Sequence, residues 1–235
     1  MIYAMSDLHG CYDKYIRMLE KIRFQPEDTL YILGDIVDRG PDGIKIWQDI
    51  IERKNVLALR GNHDFLAVQL LKERSKASPS TGLNAPQEER LAKLYQSWIF
   101  DGGLPTKMQF DKLEEEKQNI LLSHMRCMPV YEEIEVCGNN FFLSHTVPCK
   151  KRMHDRNSLK WQDFISGEPE YEKVYFPDKF IVTGHTPTGL IDPAYKGRIW
   201  RKNNHIAIDC GAVFHHPLGC ICLDTLEEYY TNEDV

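Results

Sequence analysis

The 235-residue chain contains no apolar run approaching the ~20 residues needed to cross a bilayer, no internal repeat and no low-complexity tract. A helical membrane protein and a repeat array are therefore excluded at the outset, and no membrane partner is expected. There is no excess of positive charge: 29 Lys and Arg stand against 35 Asp and Glu, a formal net charge of −6. That balance disfavours a nucleic-acid platform, which needs a basic face. The seven cysteines are odd in number and include no Cys-x-x-Cys pair. Met1 leads directly into a strand pattern, leaving no room for a signal peptide. The thiols accordingly read as reduced, and the expected location is the cytoplasm. Cys11 and Cys210 read as small packing residues beside more informative positions.

What the chain does have is a set of strong ligands placed where strands should end. Met1–Met5, Thr29–Leu33 and Asn55–Leu59 are short apolar runs of the kind that form buried strands. They lead into Ser6-Asp7-Leu8-His9-Gly10, Gly34-Asp35-Ile36-Val37-Asp38-Arg39-Gly40 and Gly61-Asn62-His63-Asp64. Phe141–Ser144 and Phe180–Thr183 end likewise at His145 and at Gly184-His185-Thr186. Taken singly, each motif has an ordinary explanation. Asp7, Asn62 and Asp64 could cap helices, the latter two a helix beginning near Phe65. Asp35 and Asp38-Arg39-Gly40-Pro41 could be turn chemistry, and His145 and His185 could be core histidines. Five strands ending in ligands is a different matter, because nothing in capping calls for histidine. Carboxylate, imidazole and amide donors without thiolate suit a pair of borderline divalent cations. Two such ions sharing a carboxylate form a common apparatus for cleaving phosphate esters.

The first third alternates strand and helix: Ile2–Met5, Tyr12–Ile22, Leu30–Leu33, Gly43–Arg53, Val56–Leu59 and Phe65–Lys72, a sign of parallel pairing. A polar loop is expected over Glu73–Gln87, followed by helices near Glu88–Phe100 and Phe110–Cys127. The last half reads as hairpins, Val130–Val136 with Asn140–Leu143, Ile199–Lys202 with His205–Ile208, and Leu218–Leu223 with Glu228–Thr231. One domain over 1–235 is the simplest count, with a helical insertion at about 75–128 that either walls a site or supports the sheet.

The ordered motif set resembles the calcineurin-like metallophosphoesterases, and within them the phosphoprotein phosphatase branch, nearest the small bacterial and bacteriophage-lambda-type Ser/Thr phosphatases. The resemblance runs from Tyr3 to about Leu223 and includes Ile208-Asp209-Cys210-Gly211-Ala212-Val213-Phe214. It implies an α/β fold, a four-layer α/β/β/α sandwich of two packed mixed sheets with both metals at one sheet edge. It implies that Asp7 and His9 bind one metal, that Asp35 bridges, and that Asn62, His145 and His185 complete the second. The metals would be two divalent ions, Mn foremost, with Fe, Zn, Co or Ni also compatible. His63 would be the general acid rather than a ligand, oriented by Asp38, and Arg39 would grip the phosphoryl group with its planar fork. Arg60 would assist, and Asp209 is a candidate acceptor behind a liganding imidazole. Two dications, two carboxylates, a hydroxide and Arg39 sum to roughly +2, which matches a phosphate monoester dianion.

Three departures stand out. Ser6 replaces a glycine, read as a backbone detail away from the ligand atoms. Asp64 stands where protein phosphatases more often have Glu and diadenosine tetraphosphate hydrolases have Asp. Trp161 is followed by Gln162-Asp163, so no second phosphate-binding Arg can be assigned there. With no Ser or Cys in a nucleophile motif, direct attack of a metal-bridging hydroxide is expected rather than a covalent intermediate. The main expectation is a protein Ser/Thr phosphatase acting on a phosphorylated protein. The alternative is a hydrolase of dinucleoside polyphosphates or another small phosphoester, and a non-catalytic phospho-binding protein is a third.

Overall fold

A computed structural model describes residues 1–75, 85–155 and 157–231. The N-terminal half alternates as expected: β1 (Ile2–Met5), α1 (Tyr12–Lys21), β2 (Thr29–Ile32), α2 (Gly43–Glu52), β3 (Val56–Ala58), α3 (Asn62–Ser75). Then come α4 (Ala85–Trp98), a π-turn (Ile99–Gly103), α5 (Leu104–Phe110) and α6 (Glu115–Cys127). The second half contains β4 (Tyr131–Val136), β5 (Asn139–Ser144), α7 (Lys150–Met153), β6 (Lys179–Thr183), α8 (Thr188–Ile191), β7 (Trp200–Lys202), β8 (His205–Ala207), β9 (Gly219–Cys222) and β10 (Glu228–Tyr230).

Two five-stranded mixed sheets result, in the orders β10-β9-β1-β2-β3 and β4-β5-β6-β8-β7. Strands β1, β2 and β3 run parallel, as do β5, β6 and β8, and the remaining pairs, β9 with β1, β10 with β9, β4 with β5 and β7 with β8, are antiparallel. The period of two along each strand assigns its residues to layers. Tyr3, Met5, Leu30 and Ile32 face a core shared with the long helices, whereas Ala4, Tyr31 and Leu33 face Phe141, Leu143, Val182 and Ile206 of the second sheet. On the far side of that sheet, Phe142 and Ile181 pack against Met153, Phe164 and Tyr175. This is the four-layer arrangement expected. Each fully buried Leu, Ile or Phe contributes roughly 1.5–3 kcal/mol, so three apolar layers dominate the adhesion of the sandwich.

The hairpins close as their turn residues dictate. Cys137 and Gly138 between β4 and β5, and Asn203 and Asn204 between β7 and β8, all have positive φ, as a two-residue primed turn requires. The central helices depart from the expected boundaries. The helix expected over Phe110–Cys127 is two helices broken at 111–114, and the one expected to run to Phe100 gives way at Ile99 to the π-turn, where Asp101 and Gly102 leave helical geometry. Most of the expected polar loop, residues 76–84, lies outside the described residues, and its flanks belong to α3 and α4. Trp98, Phe110, Leu121, Leu122 and Met125 all enter the helix-side core, so this region gives the sheet structural support.

Candidate metal and phosphate site

The carboxyl ends of β1, β2, β3, β5 and β6 deliver Asp7 and His9, Asp35, Asn62, His145 and His185 to one edge of the sandwich. Asp7, His9, Asp35, Asp38, Arg39 and His185 all have φ between 40° and 71°, six of the twelve non-glycine residues with positive φ among those described. Such backbone costs about 1–3 kcal/mol per residue and persists only where surrounding bonds over-determine it. Here they do: the amide of His9 donates to Asp35 O at 2.9 Å, that of Gly40 to His9 O at 2.9 Å, and that of Asp7 to Gly34 O at 3.1 Å. The motif glycines serve close approach. A Cβ on Gly61 would lie within contact of the Asp35 carboxylate, and one on Gly184 would collide with Ser6 Oγ and Asp7 Oδ2.

Asp35 is the shared centre. Its Oδ1 accepts the His63 amide at 3.0 Å, while its Oδ2 lies 3.6 Å from His9 Nε2 and 3.4 Å from His145 Nε2. Two donor groups therefore meet on this one carboxylate: His9, Asp35 and His63 on one side, Asp35, His145 and His185 on the other. Asn62 Oδ1 joins the second group, 3.0 Å from His145 Nε2 and 3.1 Å from His185 Nδ1. The tautomers suit a cation. His9 Nδ1 faces Val37 O at 2.9 Å and His145 Nδ1 faces Leu33 O at 2.8 Å. A carbonyl only accepts, so each Nδ1 carries the proton and each Nε2 offers its lone pair inward. His145 Nε2 would then point a lone pair at an amide oxygen and a carboxylate, an arrangement that needs a cation or a proton. Burial opposes charge on His145, but the Asp35 carboxylate outweighs it and pushes its pKa up to about 10. Burial lowers His9 to about 3 and, with His145 nearby, His185 to about 4. Burial also opposes ionisation of Asp35, yet His145 and its other imidazole neighbours hold it well below the usual carboxylate range. The donor set thus fits divalent cations around an ionised Asp35.

The remaining expected residues divide. Asp7 is buried at the edge but enters neither donor group; its Oδ2 accepts the Ser6 hydroxyl and, at 2.9 Å, the His185 amide. Ser6 is consequently not a detail remote from the ligand atoms, because its hydroxyl orients this carboxylate. Asp209 backs no imidazole: it accepts the Gly211 amide at 2.9 Å, and backbone carbonyls take the expected role behind His9 and His145. Asp64 is a clamp rather than a helix cap, accepting the amides of Asp35, Ile36 and Gly61 at 2.8, 3.1 and 3.1 Å. Helix α3 starts at Asn62, three residues before the expected Phe65, so Asn62 and His63 sit in its first turn. Arg60 does not join the site. Its guanidinium donates to Arg126 O at 2.5 Å, where a cation meets the carboxyl end of α6. Beyond Trp161, Asp163 is paired with Arg152 at 2.7 Å.

Arg39 spreads its fork across the edge, NH1 at 2.7 Å from His9 Nε2 and NH2 at 3.0 Å from His63 Nε2. His63 Nδ1 lies 2.8 Å from Asp38 Oδ2. Burial works against charging His63, but the bond to Asp38 and the charges of Asp35 and Asp38 prevail, and its pKa is raised. Asp38 is itself held by two groups from the insertion, Trp98 Nε1 at 2.8 Å and Thr106 Oγ1 at 2.7 Å, and its own amide donates to Thr106 Oγ1 at 2.9 Å. The π-turn adds Gly102 O, which accepts the Arg39 amide at 2.8 Å, and Asp101, whose two oxygens lie 3.7 Å from Arg39 NH2 and His63 Nε2. None of Trp98, Asp101, Gly102 or Thr106 was singled out in the sequence. The Asp101-Gly102-Gly103 break was the one local sign that the helix yields there.

A buried two-centre donor set at the strand ends of a four-layer sandwich, with an arginine fork and an Asp–His pair beside it, defines a metallophosphoesterase. The chain belongs to the calcineurin-like phosphoesterase family, which it matches over residues 1–215. Among curated proteins it is similar to the symmetrical bis(5'-nucleosyl)-tetraphosphatase of Wigglesworthia glossinidia brevipalpis, 28% identical over 171 residues, covering 69% of this chain and 56% of that protein. The chain thus spans little more than half the length of that relative. Among solved structures it resembles a candidate diadenosine tetraphosphatase at 17% identity, with a TM-score of 0.66 and coverage of 98% and 92%. It also resembles a Saccharomyces cerevisiae protein serine/threonine phosphatase with similarity to human PP5, at 12% identity, TM-score 0.59 and coverage of 100% and 81%. At such identities the structural likenesses show the fold alone. No helix among the described residues is long and apolar enough to cross a membrane.

Proposed function

We propose that the protein is a dinuclear-metal hydrolase of dinucleoside polyphosphates, with a diadenosine tetraphosphate as the natural test substrate. The curated similarity to symmetrical tetraphosphatases moves the reading from a protein substrate, the main expectation from sequence, to this alternative. The observation that carries the chemistry is the Asp35 carboxylate shared by two imidazole groups. Asp7, His9 and Asp35 would hold one ion, and Asp35, Asn62, His145 and His185 the other. A bound metal pair would polarise the phosphoryl oxygens and supply a water ionised near neutral pH. Arg39 would leave His9 and His63 to take two phosphoryl oxygens, a geometry Lys lacks. His63, held by Asp38, would give its Nε2 proton to the leaving oxygen.

One observation favours a second reading. A His63 whose pKa is raised by its bond to a fully bonded Asp38 is of most use to a poor leaving group, such as the alkoxide of phosphoserine, whereas a departing nucleoside diphosphate needs less help. A protein Ser/Thr phosphatase therefore remains the competing assignment. The metal-reconstituted enzyme should be offered diadenosine tetraphosphate and phosphoserine, phosphothreonine and phosphotyrosine peptides, with products separated chromatographically. Release of ADP as the sole nucleotide product, with kcat/KM above that for any peptide, supports the main reading. Efficient peptide turnover with the dinucleotide untouched overturns it.

A further inference from the structure

Two exposed phenylalanines stand near Arg39: Phe214, whose ring centroid lies 5.7 Å from its Cζ, and Phe100, two residues before the glycine that accepts its amide. We propose that Phe100 and Phe214 are stacking platforms for the bases of a nucleoside polyphosphate whose phosphates lie on Arg39, an assignment that rests on the dinucleotide reading above and gives it its specificity residues.

Phe100 is 96% exposed, the most exposed of the large apolar side chains among the described residues. An apolar ring left in water forgoes the stabilisation of burial, and nothing in the packing of the fold requires it at this point. Its support is nevertheless rigid. The preceding Trp98 is fully buried and bonded to Asp38, and Gly102, two residues later, accepts the Arg39 amide. Two peptide units span at most about 7.6 Å between Cα atoms, so Phe100 is tethered beside the arginine.

Phe214 approaches from the other half of the chain. Its ring is half exposed, and its centroid lies 5.7 Å from Arg39 Cζ. It ends a 3₁₀ turn over Ala212–Phe214 flanked by Gly211 and His215, both with positive φ. Buried Lys14 of α1 ties down both ends of this loop, its Nζ donating to Ala212 O and His216 O at 2.9 Å each. Two aromatic side chains on pinned supports, both near a phosphate-seeking cation, match a ligand that joins planar bases to a phosphate chain. Aromatic stacking accepts any base, because every base has a π-face. The predicted class is therefore set by the base–polyphosphate combination rather than by adenine alone.

The experiment uses ADP and pyrophosphate as competitive inhibitors of p-nitrophenyl phosphate hydrolysis by the metal-loaded enzyme, so its outcome does not depend on whether diadenosine tetraphosphate is turned over. Wild type should bind ADP more tightly than pyrophosphate. ADP carries one base and can use either platform, so each single alanine variant should keep part of the preference, whereas the double variant Phe100→Ala/Phe214→Ala should weaken ADP about tenfold while leaving pyrophosphate within about twofold, and Phe100→Trp should retain the ADP preference. Equal inhibition by ADP and pyrophosphate in wild type, or an intact ADP preference in the double alanine variant, would overturn the platforms. Failure to release ADP from the tetraphosphate would instead count against the function reading alone.

Discussion

The two halves of the site were built by different means. The strand-end loops carry the donors, and each of those residues lies just beyond its strand, all but His145 in a short motif with its own glycine. The insertion carries the groups that fix the acid and the arginine, and it reaches them over 60 residues for Trp98 to Asp38 and 68 for Thr106 to Asp38. Chemistry that must converge at a sheet edge is written locally, because each strand delivers its own ligand. Positioning is written at a distance, because any element that passes overhead can supply a donor. If this contrast is right, damage to the first half should abolish the metal site, and damage to the second should spare the metals and degrade only the proton transfer.

The largest effect belongs to Asp35. Asp35→Asn removes the carboxylate common to both donor groups and should reduce bound metal below one ion per chain, with activity down by at least about 10³-fold. Asn62→Ala, which deletes a neutral ligand of one group, should do less on both counts. Metal analysis after reconstitution, read alongside kcat/KM, makes the comparison. Chelation of wild type should also lower Tm, since ions that bind only the folded chain stabilise it by mass action. Full activity with one tight ion in Asp35→Asn would end the two-centre assignment.

Next comes His63. General acid catalysis contributes about 10²–10⁴ in rate when the leaving group is poor. His63→Asn should therefore slow a phosphoserine peptide far more than p-nitrophenyl phosphate, whose phenolate leaves with little help, under conditions where chemistry limits both. Metal content should not change. This is a sharp test because the structure brings His63 into one donor group with His9 and Asp35. Loss of metal in His63→Asn would move it from the proton donor to the ligand set.

The insertion's share is tested by Trp98→Phe and Thr106→Val, which keep most of the packing and delete the donors to Asp38. A hydrogen bond to a charged group is worth about 1.5–3 kcal/mol, so each variant should lose about tenfold or more on the poor leaving group. Metal content and turnover of p-nitrophenyl phosphate should be nearly unchanged. A parallel fall in metal content would show that the insertion shapes the whole edge and would dissolve the contrast between the halves.

The legibility of the chain follows the same division. The sandwich was readable because Tyr3, Ala4 and Met5 alternate between two cores and because four glycine-punctuated motifs follow strand patterns. His9, Asp35, Asn62, His145 and His185 stand together as their motifs imply. Arg60 misled, since a basic residue beside a ligand motif carries no sign of which way it turns, and the carboxyl end of α6 claimed it. Asp209 misled for a related reason: its motif marks it, but a backbone amide uses it while main-chain carbonyls hold the imidazoles. The Trp98 and Thr106 bonds could not be foreseen from helical periodicity, which predicts that these residues are buried but not that a carboxylate lies opposite.

The smallest effect should come from Asp101, the exposed acid of the π-turn. Its oxygens sit 3.7 Å from both Arg39 and His63, and its side chain is 61% exposed. Exposed ion pairs are generally worth less than about 1 kcal/mol, so Asp101→Asn should change any constant by no more than about fivefold. The direction is what matters. A carboxylate at this place opposes a multiply charged phosphate chain competing for the same guanidinium. Removing it should lower KM for diadenosine tetraphosphate, with less effect on a singly phosphorylated peptide, and the difference should shrink as added salt screens the exposed charge. If KM for the dinucleotide rises instead and kcat falls with it, Asp101 is orienting Arg39 and His63 for the reaction. The insertion would then belong to the catalytic apparatus itself and not merely to its support.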